Sequence, residues 1–222
     1  MAFDNNWDSK IYKKESQINQ YPYDQIVSSV HRYFKKDKVI SKKLKATELG
    51  CGTGNNLKFL CEFGFNEVIG IDGSVEAINI AKKFMKKHNQ CKLHVDDFNK
   101  INIKSNYTDL CIDRGAITHN SKADIKNILK EVYRILKPDG FFISSVFSDY
   151  HYAFKESTKT KNFRTAFKNE TGIKDGLIAS FFSQNEIKEF YNNFKAELIS
   201  HDIKENIILN QRSAMWFMIL KK

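Results

Sequence analysis

No stretch of the 222-residue chain approaches the length of a membrane span, and its start, Met1-Ala-Phe-Asp-Asn-Asn-Trp-Asp8, has no basic segment followed by an apolar one. A spanning helix needs about 20 apolar residues, and a secretory leader needs that charged-then-apolar order, so neither is expected and a cytoplasmic location is. Cysteine is scarce: Cys51, Cys61, Cys91 and Cys111 are widely spaced, with no Cys-x-x-Cys pair and no clustered histidines. Neither a zinc module nor a disulfide framework is indicated, and no metal site is expected. Proline is scarce too, with two residues, and no internal repeat or low-complexity block interrupts the chain. The length suits one sizeable core, so residues 1–222 are expected to form a single domain.

Lysine is plentiful. Thirty-six Lys and Arg against 26 Asp and Glu give a formal charge of +10. A basic surface attracts phosphate at long range. The lysines are scattered and form no stripe or Arg/Gly-rich tail, which argues against a nucleic-acid partner. A merely solvated surface and the attraction of a small acidic molecule both remain open. The oligomeric state is not readable.

Leu44–Thr47 reads as a strand, and Glu48-Leu-Gly-Cys-Gly-Thr-Gly-Asn55 follows it as a glycine-rich turn into a helix over 55–63. Its glycines, Gly50, Gly52 and Gly54, permit a tight turn and close approach of a ligand to the backbone. Their spacing is neither the dinucleotide fingerprint G-x-G-x-x-G nor a phosphate-cradling loop closed by Gly-Lys-Ser/Thr. Val68–Asp72 is a buried strand ending on an acid, and Gly73-Ser74 caps a long helix. Lys92–Val95 is a third strand before Asp96-Asp97-Phe98, and Thr108–Ile112 a fourth before Asp113-Arg114-Gly115. A helix over 122–136 is stopped by Lys137-Pro-Asp-Gly140, and Phe141–Phe147 is the fifth strand. Residues 148–182 break the alternation. Ser183 and Glu186 then form a capping box for a helix through Phe194, and strands 196–203 and 212–220 end the chain. Alternating βα units predict a parallel sheet with helices on both faces, and a ligand beyond the carboxyl ends of its strands. Acids and glycines collect there.

The run Glu48-x-Gly50-x-Gly52-x-Gly54 resembles the first motif of the class I S-adenosylmethionine-dependent methyltransferases, E/D-x-G-x-G-x-G, and Leu136-Lys-Pro-Asp-Gly-Phe141 resembles that family's L-K-P-G-G turn with Asp139 in place of one glycine. The resemblance implies a Rossmann-like seven-stranded, mostly parallel sheet of order 3-2-1-4-5-7-6 with an antiparallel last strand. It implies S-adenosylmethionine as cofactor, with S-adenosylhomocysteine as product. Carried over, Gly50, Cys51, Gly52 and Gly54 lie against its methionine portion, and Glu48 orients the loop and the amino group. Asp72, with Gly73, receives the ribose hydroxyls. Asp97, or else Asp96, binds the adenine amine under Phe98, and Asp113 ends the fourth side of the site. Because NAD-binding sheets also place an acid like Asp72, that residue alone does not discriminate.

The segment Asp113-Arg-Gly-Ala-Ile-Thr-His119 lies where this family places residues facing the transferred methyl, and it resembles the Ala-Ile-Leu-His stretch of phosphoethanolamine methyltransferases. His119 is the candidate general base. Tyr12, Tyr21 or Tyr23 is its candidate partner, from an N-terminal flap and helix over residues 1–43. Arg114, together with Tyr150, His151, Tyr152, Lys155, Lys161 and Arg164 of an insertion over 148–182, would recognise a phosphate or carboxylate. The implied reaction is methyl transfer to N or O of a small, anionic metabolite, phosphorylated or nucleotide-linked. An RNA or protein methyltransferase is the first alternative, although no appended binding domain and no Asn/Asp-Pro-Pro-Tyr/Phe motif is present. A non-catalytic or NAD-binding Rossmann-like module is the second.

Overall fold

A computed structural model describes Trp7, Tyr12 and residues 18–35, 43–159, 165–166 and 178–222. Helix α1 (Asp24–Tyr33) precedes strand β1 (Lys45–Leu49), helix α2 (Asn55–Phe63), β2 (Glu67–Asp72), α3 (Val75–Phe84), β3 (Cys91–Val95) and β4 (Thr108–Arg114). Then come α4 (Lys122–Ile135), β5 (Leu136–Phe147), the short α5 (Tyr152–Glu156), α6 (Gln184–Phe190), β6 (Lys195–Asn206) and β7 (Gln211–Lys221). β1 to β5 pair in parallel, and β7 runs antiparallel between β5 and β6. The sheet order is therefore 3-2-1-4-5-7-6, as the sequence predicts. Among the described elements the link from β3 to β4 carries no helix, unlike the other parallel crossovers.

Strand side chains alternate between faces, so the sheet feeds two cores. On one face Leu49, Ile71, Phe142, Val146, Trp216 and Met218 pack with Ile125, Ile128, Leu129 and Val132 of α4 and Ile187 of α6. On the other, Ala46, Val68, Leu110, Ile112, Ile143 and Phe217 meet Ile26 and Val30 of α1, Leu57 and Leu60 of α2, and Ile78 of α3. Spacing of i, i+3, i+4 and i+7 in α4 puts its apolar stripe against the sheet. Helices α3 and α6 start where short polar side chains satisfy free amides: Ser74 Oγ accepts from Ala77 N at 2.9 Å, and Ser183 with Glu186 forms the expected capping box.

Two boundaries differ from expectation by more than three residues. β5 begins at Leu136 instead of Phe141, because the pairing jumps from Thr108–Leu136 to Leu110–Phe141. Residues 137–140 bulge from the ladder, with Asp139 at φ +64°, and α4 still ends sharply at Ile135. α6 stops at Phe190, but Tyr191 and Phe194 stay buried against the α4 face. No helix among the described residues is long and apolar enough to cross a membrane.

Phe142 is fully buried, with its ring centroid 5.5 Å from that of Phe194 and 6.3 Å from that of Tyr191. Phe142→Ala is expected to lower unfolding free energy by about 3–5 kcal/mol. Denaturant unfolding reads this directly, and an unchanged midpoint would show that the core does not depend on that ring.

Candidate functional site

The loops leaving β1, β2, β3 and β4 converge on one cavity of about 310 Å³. Gly50 to Thr53 form one wall, Asp72-Gly73 and Asp96 to Phe98 the next, and Arg114 to Ala116 with His119 and Asn120 the last. Trp7, Tyr12, Asn19 and Tyr23 close it from the N-terminal side. The site thus lies at the carboxyl ends of the strands, as a parallel sheet with a strand-order reversal beside β1 dictates.

The glycine turn is tied down by Ile71, whose carbonyl oxygen accepts from Gly50 N at 2.7 Å and Cys51 N at 3.0 Å. Gly50 and Gly52 both have positive φ, +66° and +51°. Their missing side chains serve different ends. A Cβ on Gly50 would come within 2.0 Å of Ala116 Cβ, so Gly50 admits the protein's own fourth loop. A Cβ on Gly52 would meet only Tyr12 Oη, at 3.2 Å, on the cavity side. Gly54 does not line the cavity: a Cβ there would meet Met85 behind it.

The acids divide similarly. Asp72 is buried and accepts from Gly52 N and Ser74 N, both at 2.9 Å, so it joins the first loop to the second while facing the cavity. Asp96 accepts from the amides of Asp97 at 2.9 Å and Asn102 at 3.1 Å, both oxygens serving its own loop. Asp97 gives Oδ1 to Asn99 N at 3.0 Å. Asp113 does not line the cavity. Fully buried, it accepts from Ala116 N, Ile117 N and the Ser144 hydroxyl, and so shapes the loop that carries His119. Burial pushes its carboxyl up to about 6 despite those donors.

Glu48 is a strongly perturbed acid at the cavity. Its Oε1 accepts from Asn56 Nδ2 at 2.7 Å, and its buried Oε2 has no hydrogen-bond partner. Burial pushes its carboxyl up to about 8, with Asp113 and Asp72 adding repulsion against the Asn56 hydrogen bond.

Sequence reasoning passed over the polar residues that strap the N-terminal segment to the turn. Thr53 Oγ1 donates to Asn19 O at 3.2 Å, Asn55 Nδ2 to Tyr21 O at 2.9 Å, and Asn56 Oδ1 accepts from Tyr23 N at 3.1 Å. Two asparagines buried in the first turn of α2 were the available signal, since buried amides demand partners. Asn56 links Tyr23 to Glu48 in one chain of hydrogen bonds.

At the opposite end His119 is half-buried on a 3₁₀ turn, Ile117–His119. Its ring meets Trp7 edge-on at 4.9 Å between centroids and Phe147 at 5.6 Å. The Arg114 guanidinium lies 4.4 Å from the Tyr23 ring centroid. No carboxylate among the described residues forms an ion pair with Arg114, although Asp113 attracts its charge; Nη1 contacts Met215 Sδ at 3.5 Å, and its buried Nε has no hydrogen-bond partner among the described residues. Tyr12, Tyr23, His119 and Arg114 therefore share one cavity. Tyr21 is strongly exposed and does not line it.

The remaining substrate candidates lie elsewhere. His151 accepts from Ala153 N at 3.2 Å as the cap of α5, with burial holding it down to about 4, and it does not line the cavity. Tyr150 packs edge-on against His201, Tyr152 lines a separate depression beside the β6–β7 hairpin, and Lys155 is exposed. Lys161 and Arg164 lie outside the described residues.

Residues 46–140 match the family described as "Methyltransferase domain". That match supports reading the chain as a class I S-adenosylmethionine-dependent methyltransferase. It is 31% identical over 156 residues to human EEF1A lysine methyltransferase 2, covering 62% of this chain and 64% of that protein. Identity to the sterol 24-C-methyltransferase of Saccharomyces cerevisiae is 27% over 165 residues, covering 72% and 41% respectively. The chain thus spans less than two thirds of either relative. A SAM-dependent methyltransferase of Methanosarcina mazei shares the fold, with a TM-score of 0.69 at 19% identity over 91% of this chain and 98% of that one.

The match to a methyltransferase domain implies S-adenosylmethionine as cofactor, and several groups at the cavity suit that molecule. Glu48 Oε2, buried and unpartnered, is what an ammonium group would satisfy; Gly52 leaves room at the turn, and Asp72 and Asp97 supply acceptors for hydroxyls and an amine. The Glu48 proton, retained in the folded methyltransferase to about pH 8 but released near 4.5 in the unfolded chain, makes folding less favourable as pH rises through that window. Glu48→Gln removes this dependence. Its stability relative to wild type is expected to rise between pH 5 and pH 8 by up to about 1.4 kcal/mol per unit, while affinity for S-adenosylhomocysteine falls. Thermal melts across pH with calorimetry check both, and a pH-independent difference would remove Glu48 as the titrating group.

Proposed function

We propose that this methyltransferase acts on a nitrogen or oxygen of a small anionic metabolite whose negative group pairs with Arg114. S-adenosylmethionine, when bound, supplies an electrophilic methyl carbon on a sulfonium. Gly52, Asp72, Asp97, Phe98 and Glu48 would hold the donor in the half of the cavity built by the first three loops. Arg114 would hold the acceptor from the fourth loop, and its planar fork suits a phosphate or carboxylate. Trp7, Tyr12 and Tyr23 would exclude water above both, which strengthens the Arg114 interaction by lowering the local dielectric. Alignment of this kind is worth roughly 7–11 kcal/mol in bimolecular reactions. His119, on the same loop as Arg114, would take the proton that leaves the attacking atom. Residues 1–222 are taken as one domain, with residues 1–43 as its N-terminal flap and helix and 148–182 as an insertion.

The observation that carries this reading is the cation of Arg114, half-buried at the cavity without a carboxylate partner among the described residues. Kinship to an EEF1A lysine methyltransferase makes a protein lysine the second reading. Arg114 opposes it, because a lysine ammonium brought to that end would meet a like charge. Sterol methylation, the activity in the other relative's name, would leave Arg114 desolvated against an apolar ligand.

A screen of phosphorylated amines and nucleotide sugars for S-adenosylhomocysteine release tests the proposal, with histidine-free lysine peptides as the competing arm. With the acceptor found, Arg114→Gln is expected to raise KM at least about tenfold, the loss of one charge-assisted hydrogen bond, with cofactor affinity unchanged. Faster methylation of the peptides, or an unchanged KM, would transfer the case to the second reading. His119→Ala is expected to lower kcat by about 100-fold or more with S-adenosylhomocysteine affinity unchanged; wild-type turnover would end its role as base.

A further inference from the structure

Asn120 follows His119, is 4% exposed and lines the same cavity. Its side-chain amide is fixed in one orientation: Nδ2 donates to Ala116 O at 3.2 Å and Ile117 O at 3.0 Å. Rotating the amide by 180° would set Oδ1 against those carbonyl oxygens, so the network assigns the orientation. Oδ1 is then left buried with no hydrogen-bond partner. The turn cannot easily shift to cure this, because Ser180 clamps it. Ser180 Oγ donates to Asn120 O at 2.7 Å, Ser180 N to Thr118 O at 2.7 Å, and Thr118 Oγ1 to Ser180 O at 2.6 Å. Buried polar atoms in native proteins are almost always paired, and a rigidly held exception beside a cavity calls for a ligand donor. Arg114 Nε, buried and unpartnered on the same loop, calls for a ligand acceptor.

We infer that Asn120 determines acceptor specificity, its Oδ1 receiving an N–H of an amine whose separate anionic group sits on Arg114. The inference rests on the anionic-acceptor reading above. A hydroxyl nucleophile fits less well. It has one hydrogen, which must go to the base, and Oδ1 would be stranded as the reaction proceeds. A neutral primary amine has two, so one can stay on Asn120 throughout. The nitrogen lone pair forms the new N–C bond as the C–S bond breaks, and the electron pair of that bond goes to sulfur. The nitrogen then loses one proton to His119 or solvent and keeps the other on Asn120. As a positioning group for N–H, Asn120 would favour primary amines and offer nothing to a quaternary one.

Calorimetry on the protein loaded with S-adenosylhomocysteine tests this with 2-aminoethyl phosphate against its trimethylated counterpart, and with glycine against glycine betaine. Wild type is expected to bind the amine of one pair at least about tenfold more tightly. Asn120→Ala should remove most of that preference while leaving affinity for the trimethylated partner and for S-adenosylhomocysteine unchanged, whereas a merely structural role would weaken all of them together. Should Asn120→Ala fail to fold, the wild-type preference decides, and equal affinity within both pairs overturns the inference. If only anions without an amine bind, the Asn120 inference fails and the anionic reading stands. If no anion binds wild type, that reading falls and takes the inference with it.

Discussion

The missing side chain of Gly50 sets the distance between the loop after β1 and the loop after β4. With Ala116 Cβ only 2.0 Å from where a Gly50 Cβ would stand, no other residue permits this approach without moving one loop. The two loops belong to adjacent strands, and their contact brings the candidate donor and acceptor ends of the cavity within reach of each other. Ile71 O, which holds both Gly50 N and Cys51 N, and Asp113, which holds Ala116 N, fix the two sides of that contact from separate strands. The site is therefore a property of sheet registry. A shift of β1 against β2 or β4 would change the cavity before any lining residue was altered.

Much of the fold was legible because its signals are local and periodic. The apolar stripe of α4, the strands ending on Asp72 and Asp113, and the Ser183–Glu186 capping box each reflect a rule that acts within a few residues. The errors lie where tertiary pairing overrides a local signal. Lys137–Gly140 has the chemistry of a stop, yet the chain accommodates it as a bulge inside β5 because Leu136 still finds Thr108 across the ladder. Among the site candidates, the glycines and acids could be located from strand ends, but their division of labour could not. Gly50 faces Ala116 and Gly54 faces Met85, contacts separated by tens of residues or by an intervening strand. Tyr150, Tyr152 and Lys155 have suitable chemistry for anions, but none of them lines the cavity, and where the chain goes after β5 is not a property that composition reveals.

The overall charge of +10 turns out to say little about the cavity. No lysine is among its described lining residues, and several lysines are occupied elsewhere: Lys45 and Lys92 with Glu67, Lys122 with Glu186, Lys137 with Asp109. Glu67, held down to about 2 by Lys92, Tyr107 and Lys45 against its own partial burial, ties together the amino-terminal ends of the strands, away from the cavity. What matters electrostatically is the order of charges within the cavity. Glu48, Asp72, Asp96 and Asp97 collect on the first three loops, and Arg114 stands on the fourth.

That order has a consequence for how two ligands of opposite character would share one small space. Acids on one side favour a donor that brings positive charge, and a cation on the other favours an acceptor that brings negative charge, so each ligand is repelled from the other's half as well as attracted to its own. The Asn56 amide ties this arrangement to the flap, because the same side chain holds Glu48 Oε1 and Tyr23 N while Tyr23 lies against Arg114. The acid on β1 and the cation that ends β4 are thus joined through Asn56 and Tyr23 by a continuous set of contacts, so the two sides of the cavity share one polar framework.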